Sequence, residues 1–116
     1  MSYENRTFDE LRIGEEAEIE RLARAEDFYV FAHASGNHNP MHLAAEDGVK
    51  DGDPEAIAPA MWLGSLISAV LGNVLPGPGT LYRSQSLKFR GMAQAGDTVK
   101  IGVRVVEKLD NCHVVL

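Results

Sequence analysis

The chain has 116 residues, which is room for one domain with a modest core and too little for two. Its 17 Asp and Glu against 11 Lys and Arg leave a net charge of −6, and the basic residues are scattered, which excludes a nucleic-acid backbone or an anionic membrane surface as the expected partner. A single cysteine, Cys112, rules out an internal disulfide, and the polar first ten residues lack the basic start and apolar core of a signal peptide, so the cytoplasm is the expected location.

Residues 1–14 are polar, with Phe8, Leu11 and Ile13 as anchors, and Gly14 followed by two glutamates predicts a turn feeding a short strand over 17–22. From Ala25 the period changes. Phe28, Phe31 and Ala32 fall on one helical face, Glu26 and Asp27 occupy the first turn where acids suit the dipole, and Ser35-Gly36 ends the helix.

The segment Ser35-Gly36-Asn37-His38-Asn39-Pro40-Met41-His42 is the most chemically loaded part of the chain. Asn39-Pro40 bends it, because the residue before proline is pushed out of the helical region and Asn bonds its own backbone. Three histidines, His33, His38 and His42, fall within ten positions. Read from the residues alone, the segment is either a solvated loop or a site, and a metal is the weaker reading. His38 and His42 could pair, but no Cys, Asp or Glu stands nearby at ligand spacing, and zinc takes three or four protein ligands. Residues 43–56 are acidic and rich in turn formers, which predicts an exposed loop with at most one short helical turn, of a length typical of lids or disordered segments.

Residues 57–75 form the longest uncharged run and predict one helix of nearly five turns. Trp62, Leu63, Leu66, Ile67, Val70, Leu71 and Val74 recur at helical spacing, while Gly64, Ser68 and Gly72 make a small-residue stripe, so both faces are expected to bury. Pro59 suits the first turn and Pro76-Gly77-Pro78-Gly79 cannot continue it. A membrane span needs roughly 18 mostly apolar residues. Asn73, two serines and two glycines dilute this run, no basic cluster flanks it, and strands follow, so a core helix is expected instead. Residues 81–90 alternate, with Leu81, Arg83, Gln85, Leu87 and Phe89 on one face, which predicts a strand over a partly polar interior. Residues 91–96 turn the chain, and 97–108 alternate again with Val99, Ile101, Val103 and Val105 inward. A hairpin through Leu109-Asp110-Asn111 then leads to a last strand over 112–116.

The order strand, helix, loop, long helix, successive strands resembles an α+β hotdog fold, a curled antiparallel sheet wrapped around one long central helix. Phe31-Ala-x-Ala-Ser-Gly-x-x-Asn39-Pro40-x-His42 resembles the signature loop of the MaoC-like (R)-specific enoyl-CoA hydratases. Leu75-Pro-Gly-Pro-Gly79 and Ser84-Gln-Ser-Leu-Lys-Phe89 resemble their helix exit and second strand. The likeness covers nearly the whole of 1–116 as a single domain. It is strongest to the hydratase-like N-terminal domain of bifunctional enoyl-CoA hydratase/phosphate acetyltransferase proteins, and no acetyltransferase domain is present. Such a sheet takes one further strand beyond Leu116, so the expectation is either a domain truncated at its C-terminal end or a sheet edge left unpaired.

The resemblance implies addition of water to a trans-2-enoyl thioester of coenzyme A or an acyl carrier protein. It implies no cofactor or metal beyond the substrate's own coenzyme A, and a homodimer or dimer of dimers with the site at the subunit junction. His42 matches the family's catalytic histidine and Asn39 its loop asparagine. Ala60 stands where a glycine donates its N–H to the thioester oxygen, with Met61 beside it at the substrate, and Ser68 matches a serine that supports the catalytic carboxylate. Asn37 occupies that carboxylate's position, where an amide orients water but cannot accept its proton, a loss that typically costs about 10²- to 10⁴-fold in rate. Pro59-Ala60 replaces His-Gly, and Ala44 and Asp47 replace an acid and an aromatic of the acyl pocket. The expected function is therefore a hydratase that is active or weakened. The alternatives are a non-catalytic acyl-thioester-binding or dimerisation module, and a thioesterase, which wants a carboxylate that is not identifiable here.

Overall fold

The structure is a computed structural model and describes residues 6–43 and 56–116. The expected acidic loop over 43–56, with Ala44 and Asp47, falls almost wholly outside the described residues. Two compact units are formed by chain segments Met1–Ile19, Ser65–Ser86 and Lys100–Leu116, and by Glu20–Gly64 and Leu87–Val99.

The strands β1 (Glu16–Leu22) and β2 (Thr98–Arg104) form a two-stranded sheet, and the first unit holds the start of β1 and the end of β2. Gly14 N–H donates to Val105 at 2.7 Å and Val105 N–H donates to Glu15 at 2.9 Å, closing this end of the pair. Ile101, Val103 and Val105 are buried, the inward set expected from their alternation. The chain then leaves the ladder at 105–106 and re-enters a hairpin, β3 (Glu107–Leu109) antiparallel to β4 (His113–Val115), with Leu109 opposite His113. Lys108 ties this hairpin to the N-terminal segment, its Nζ donating to Leu11 O at 2.9 Å and lying 4.3 Å from the Phe8 ring centroid.

In the second unit, α1 (Ala25–Ser35) starts and stops where local chemistry demands. Glu26 and Asp27 lie in its first turn, and Gly36 takes the left-handed conformation (φ 80°), donating its N–H to Ala32 O. Ala25, Phe28 and Ala32 are buried. Ala23 and residues 96–97 exchange backbone hydrogen bonds at 2.8 Å, which, with the contacts of Gly14 and Glu15 to Val105, shows that β1 and β2 run antiparallel.

The helix α2 spans Ala60–Asn73, 14 residues rather than the expected run of 57–75. Its start is displaced because residues 56–58 pair elsewhere: Ala58 N–H donates to Ala93, Ala95 N–H donates to Ala56, and Ile57 bridges Gln94. At its exit, Leu75 and Gly77 N–H groups fold back onto Val70 and Leu71 carbonyls. Trp62, Leu66, Val70 and Leu71 are buried, but Ala60, Met61, Ser65 and Ser68 are exposed, so the expectation that both faces bury is corrected to one buried face. No helix among the described residues is long and apolar enough to cross a membrane.

The strand expected over 81–90 is also corrected, since no regular element is assigned there. Leu81 is 87% exposed, Phe89 50%, and Arg83 and Gln85 are exposed; only Leu87 is half-buried, so no polar interior forms. Alternation shows which face a sheet would take, but a strand exists only where a neighbour supplies ladder hydrogen bonds, and among the described residues none does.

Candidate active site at the entrance of the long helix

The loop after α1 is held by a succession of side-chain to backbone hydrogen bonds. Ser35 Oγ donates to Phe31 O at 2.7 Å and accepts from Asn37 N–H at 3.0 Å. Asn37 Oδ1 accepts from Asn39 N–H at 3.1 Å, and Asn39 Oδ1 accepts from Met41 N–H at 3.2 Å. Short polar side chains reach the backbone two residues on, which is why Ser and Asn favour such bends. Asn39 thereby caps a single 3-10 turn, Pro40–His42, whose fixed proline φ suits its first position.

This turn delivers His42 to the entrance of α2. The His42 ring Nδ1 lies 2.8 Å from Ile57 O, and Ile57 N–H donates to Met41 O at 3.0 Å, so the turn is clamped to the residue three before the helix on both sides. A carbonyl only accepts, which places the proton on Nδ1 and leaves Nε2 of the neutral imidazole with its lone pair. His42 is half-buried, whereas His33 and His38 are exposed. Among the described residues, no three His, Cys, Asp or Glu side chains come together as a metal-ligand group.

Pro59 O receives the N–H groups of Trp62 and Leu63, at 3.0 and 3.2 Å. The N–H groups of Ala60 and Met61 precede the first intrahelical bond and have no partner among the described residues. They carry the partial positive charge of the helix start, on residues that are themselves exposed.

The structure thus brings His42 together with the entrance that carries Ala60 and Met61. Asn37 is on the same loop, but its oxygen is engaged by the backbone, and its side chain and that of His42 share no hydrogen bond. Ser68 lies two turns further along α2, exposed. Sequence reasoning missed Ile57, whose contribution is a carbonyl and an N–H. Backbone groups are common to every residue and leave no signal in residue type. A groove of about 520 Å³ over Glu16, Ala17, Glu18, Gly102, Val103 and Arg104 contains none of the loop residues.

Antiparallel strand pairs, one long apolar helix and a loop histidine tied to that helix's entrance define an α+β domain of the hotdog class. The chain belongs to the MaoC-like domain family: residues 10–115 match the family described as "MaoC like domain". It is 37% identical over 100 residues to the 3-hydroxybutyryl-CoA dehydratase of Methylorubrum extorquens, a match covering 86% of this chain and 64% of that protein. It is 38% identical over 98 residues to the (R)-specific enoyl-CoA hydratase of Rhodospirillum rubrum, covering 84% of this chain and 68% of that one. The unliganded R-hydratase PhaJ1 from Pseudomonas aeruginosa superposes with a TM-score of 0.81 at 41% identity, over 91% of this chain and 68% of its own. The chain therefore spans about two thirds of the length of these relatives, and slightly less of the first.

Proposed function

We propose that this domain adds water across the double bond of a trans-2-enoyl thioester, in the manner named for its (R)-specific hydratase relatives. Water oxygen bonds to C3 as one of its O–H bonds breaks, a proton reaches C2, and the thioester oxygen carries the developing enolate charge in between. His42 Nε2 takes and returns the proton, Asn37 and Asn39 orient the water and the loop, and the Ala60 and Met61 N–H groups receive the oxygen. The observation that carries this reading is the 2.8 Å contact of His42 Nδ1 with Ile57 O, which frees Nε2 and holds it at a helix start. Substrates are short or medium acyl thioesters of coenzyme A or an acyl carrier protein, with no cofactor of the protein's own. The domain works as a homodimer in the cytoplasm, and the exposed Phe89 and Met92 support pairing with a second copy.

One observation favours a second reading, a thioester-binding module without turnover: the Asn37 oxygen is already taken by Asn39 N–H, and an amide accepts no proton from water. Crotonyl-CoA hydration, followed as loss of enoyl absorbance, separates the two. Asn37→Asp keeps an acceptor for Asn39 N–H and adds a basic oxygen, so its rate rises by about 10²- to 10⁴-fold over the parent. Absence of turnover in both proteins, with a saturated acyl-CoA still binding by calorimetry, would establish the binding module. Absence of both would overturn each reading.

A further inference from the structure

The first turn of α2 carries a tryptophan whose surroundings the hydration chemistry does not use. Trp62 is buried, and its backbone N–H donates to Pro59 O, so it belongs to the same turn that presents the Ala60 and Met61 N–H groups. Its ring meets Phe28 of α1 edge to face, with centroids 5.2 Å apart and planes at 77°. The Arg21 guanidinium, from the end of β1, lies 5.9 Å from the same ring's centroid. That guanidinium is not free to wander, because its Nη2 donates to Asp27 Oδ1 at 2.9 Å, in the first turn of α1. The other Asp27 oxygen, Oδ2, is buried with no hydrogen-bond partner among the described residues, where the carboxylate's strong bond is the one to Arg21. A strand end, a helix start and a second helix start therefore converge on one indole.

We infer that Arg21, held by Asp27, is a positioning residue: it seats Trp62 against Phe28 and so sets the direction of the Ala60 and Met61 N–H groups. A guanidinium suits this task, since its flat face stacks on an aromatic ring while its edge stays bonded to a carboxylate. Phe28 meets the indole edge to face, and the cation lies over the ring's face. The catalytic consequence rests on the hydratase reading above, because only a reaction that develops charge on a bound oxygen depends on where those amides point.

The test uses Arg21→Met, which keeps an apolar stem and removes the cation, with Arg21→Lys and Asp27→Asn alongside, each required to melt cooperatively. Amide proton and nitrogen shifts of Ala60 and Met61, and the emission of the single tryptophan, are expected to move in Arg21→Met, to move less in Asp27→Asn and to return towards the parent in Arg21→Lys. Unmoved amides in Arg21→Met overturn the inference whether or not the protein turns over. In whichever of the parent or Asn37→Asp background hydrates crotonyl-CoA, Arg21→Met is expected to lower kcat by about tenfold with KM little changed, the size expected of a small misplacement. Moved amides with unaltered kcat overturn the catalytic role. Moved amides in a protein that never turns over leave Arg21 as the residue that seats the helix start and overturn the hydratase reading instead.

Discussion

Phe28→Leu tests the packing on which the site stands. Phe28 is fully buried, and its ring supplies the edge of the pair with Trp62, centroids 5.2 Å apart. Leucine keeps the site apolar but removes that geometry. The aromatic pair is worth about 0.5–1.5 kcal/mol beyond area burial, and a change of shape at similar volume in a packed site adds up to about 1.5 kcal/mol. The expected loss is then about 0.5–3 kcal/mol. Unfolding entropy near 2.1 cal/mol/K per residue converts this, for a chain of 116 residues, to a fall in Tm of about 2–12 °C. The assay is thermal unfolding followed by Trp62 fluorescence and circular dichroism at fixed protein concentration, since any association would shift the midpoint. A Tm equal to the parent's would refute the reasoning, because it would mean that α1 and the first turn of α2 do not depend on this contact.

Gly72→Ala adds a methyl group in the last turn of α2, where nothing beyond the helix's own backbone and its chain neighbours lies within 4 Å. Alanine is favoured over glycine in a helix by up to about 1 kcal/mol, so Tm should rise by up to about 4 °C, and a fall would show that this face is covered in the native assembly. Asn39→Ala removes the oxygen that caps the turn carrying His42. The loss of about 1 kcal/mol should speed Met41 amide exchange about fivefold, with unchanged exchange counting against the capping role. Glu15 accepts hydrogen bonds from the Arg6 guanidinium and from Arg12 N–H, which hold its carboxyl below the ordinary value of 4.5. A depressed pKa stabilises the fold above that unfolded value and ceases to do so as pH falls through the folded one. The Tm difference between parent and Glu15→Gln should accordingly be full near neutral pH and vanish in acid, and a difference that persists there would sink the assignment.

What was legible in the chain is what local chemistry dictates. The α1 helix from Ala25 to Ser35, with its acidic first turn and its Gly36 terminus, follows from groups a few residues apart. The bend at Asn39-Pro40 does too, since the side-chain bonds that hold that loop span only two to four residues. The inward alternation of Ile101, Val103 and Val105 was equally readable, because a period of two shows which face an apolar set occupies. His42 stood out by residue type and by its place in a motif, as did the apolar face of α2.

Three features were decided only when distant segments met. Residues 56–58 left the helical run because Ala93, Gln94 and Ala95 offered them backbone partners. Residues 81–90 alternate as a strand does, yet form none among the described residues, because alternation specifies a face and not a neighbour. The His42 ring was given a defined tautomer, with the proton on Nδ1, only through the carbonyl of Ile57, 15 residues away. Residue type and short spacings were enough to show which side chains prefer water, which bend the chain and which are able to carry a proton, since those properties are local. Tertiary structure decided which backbone groups pair and which nitrogen of His42 is free, since a hydrogen bond depends on where its second partner is brought.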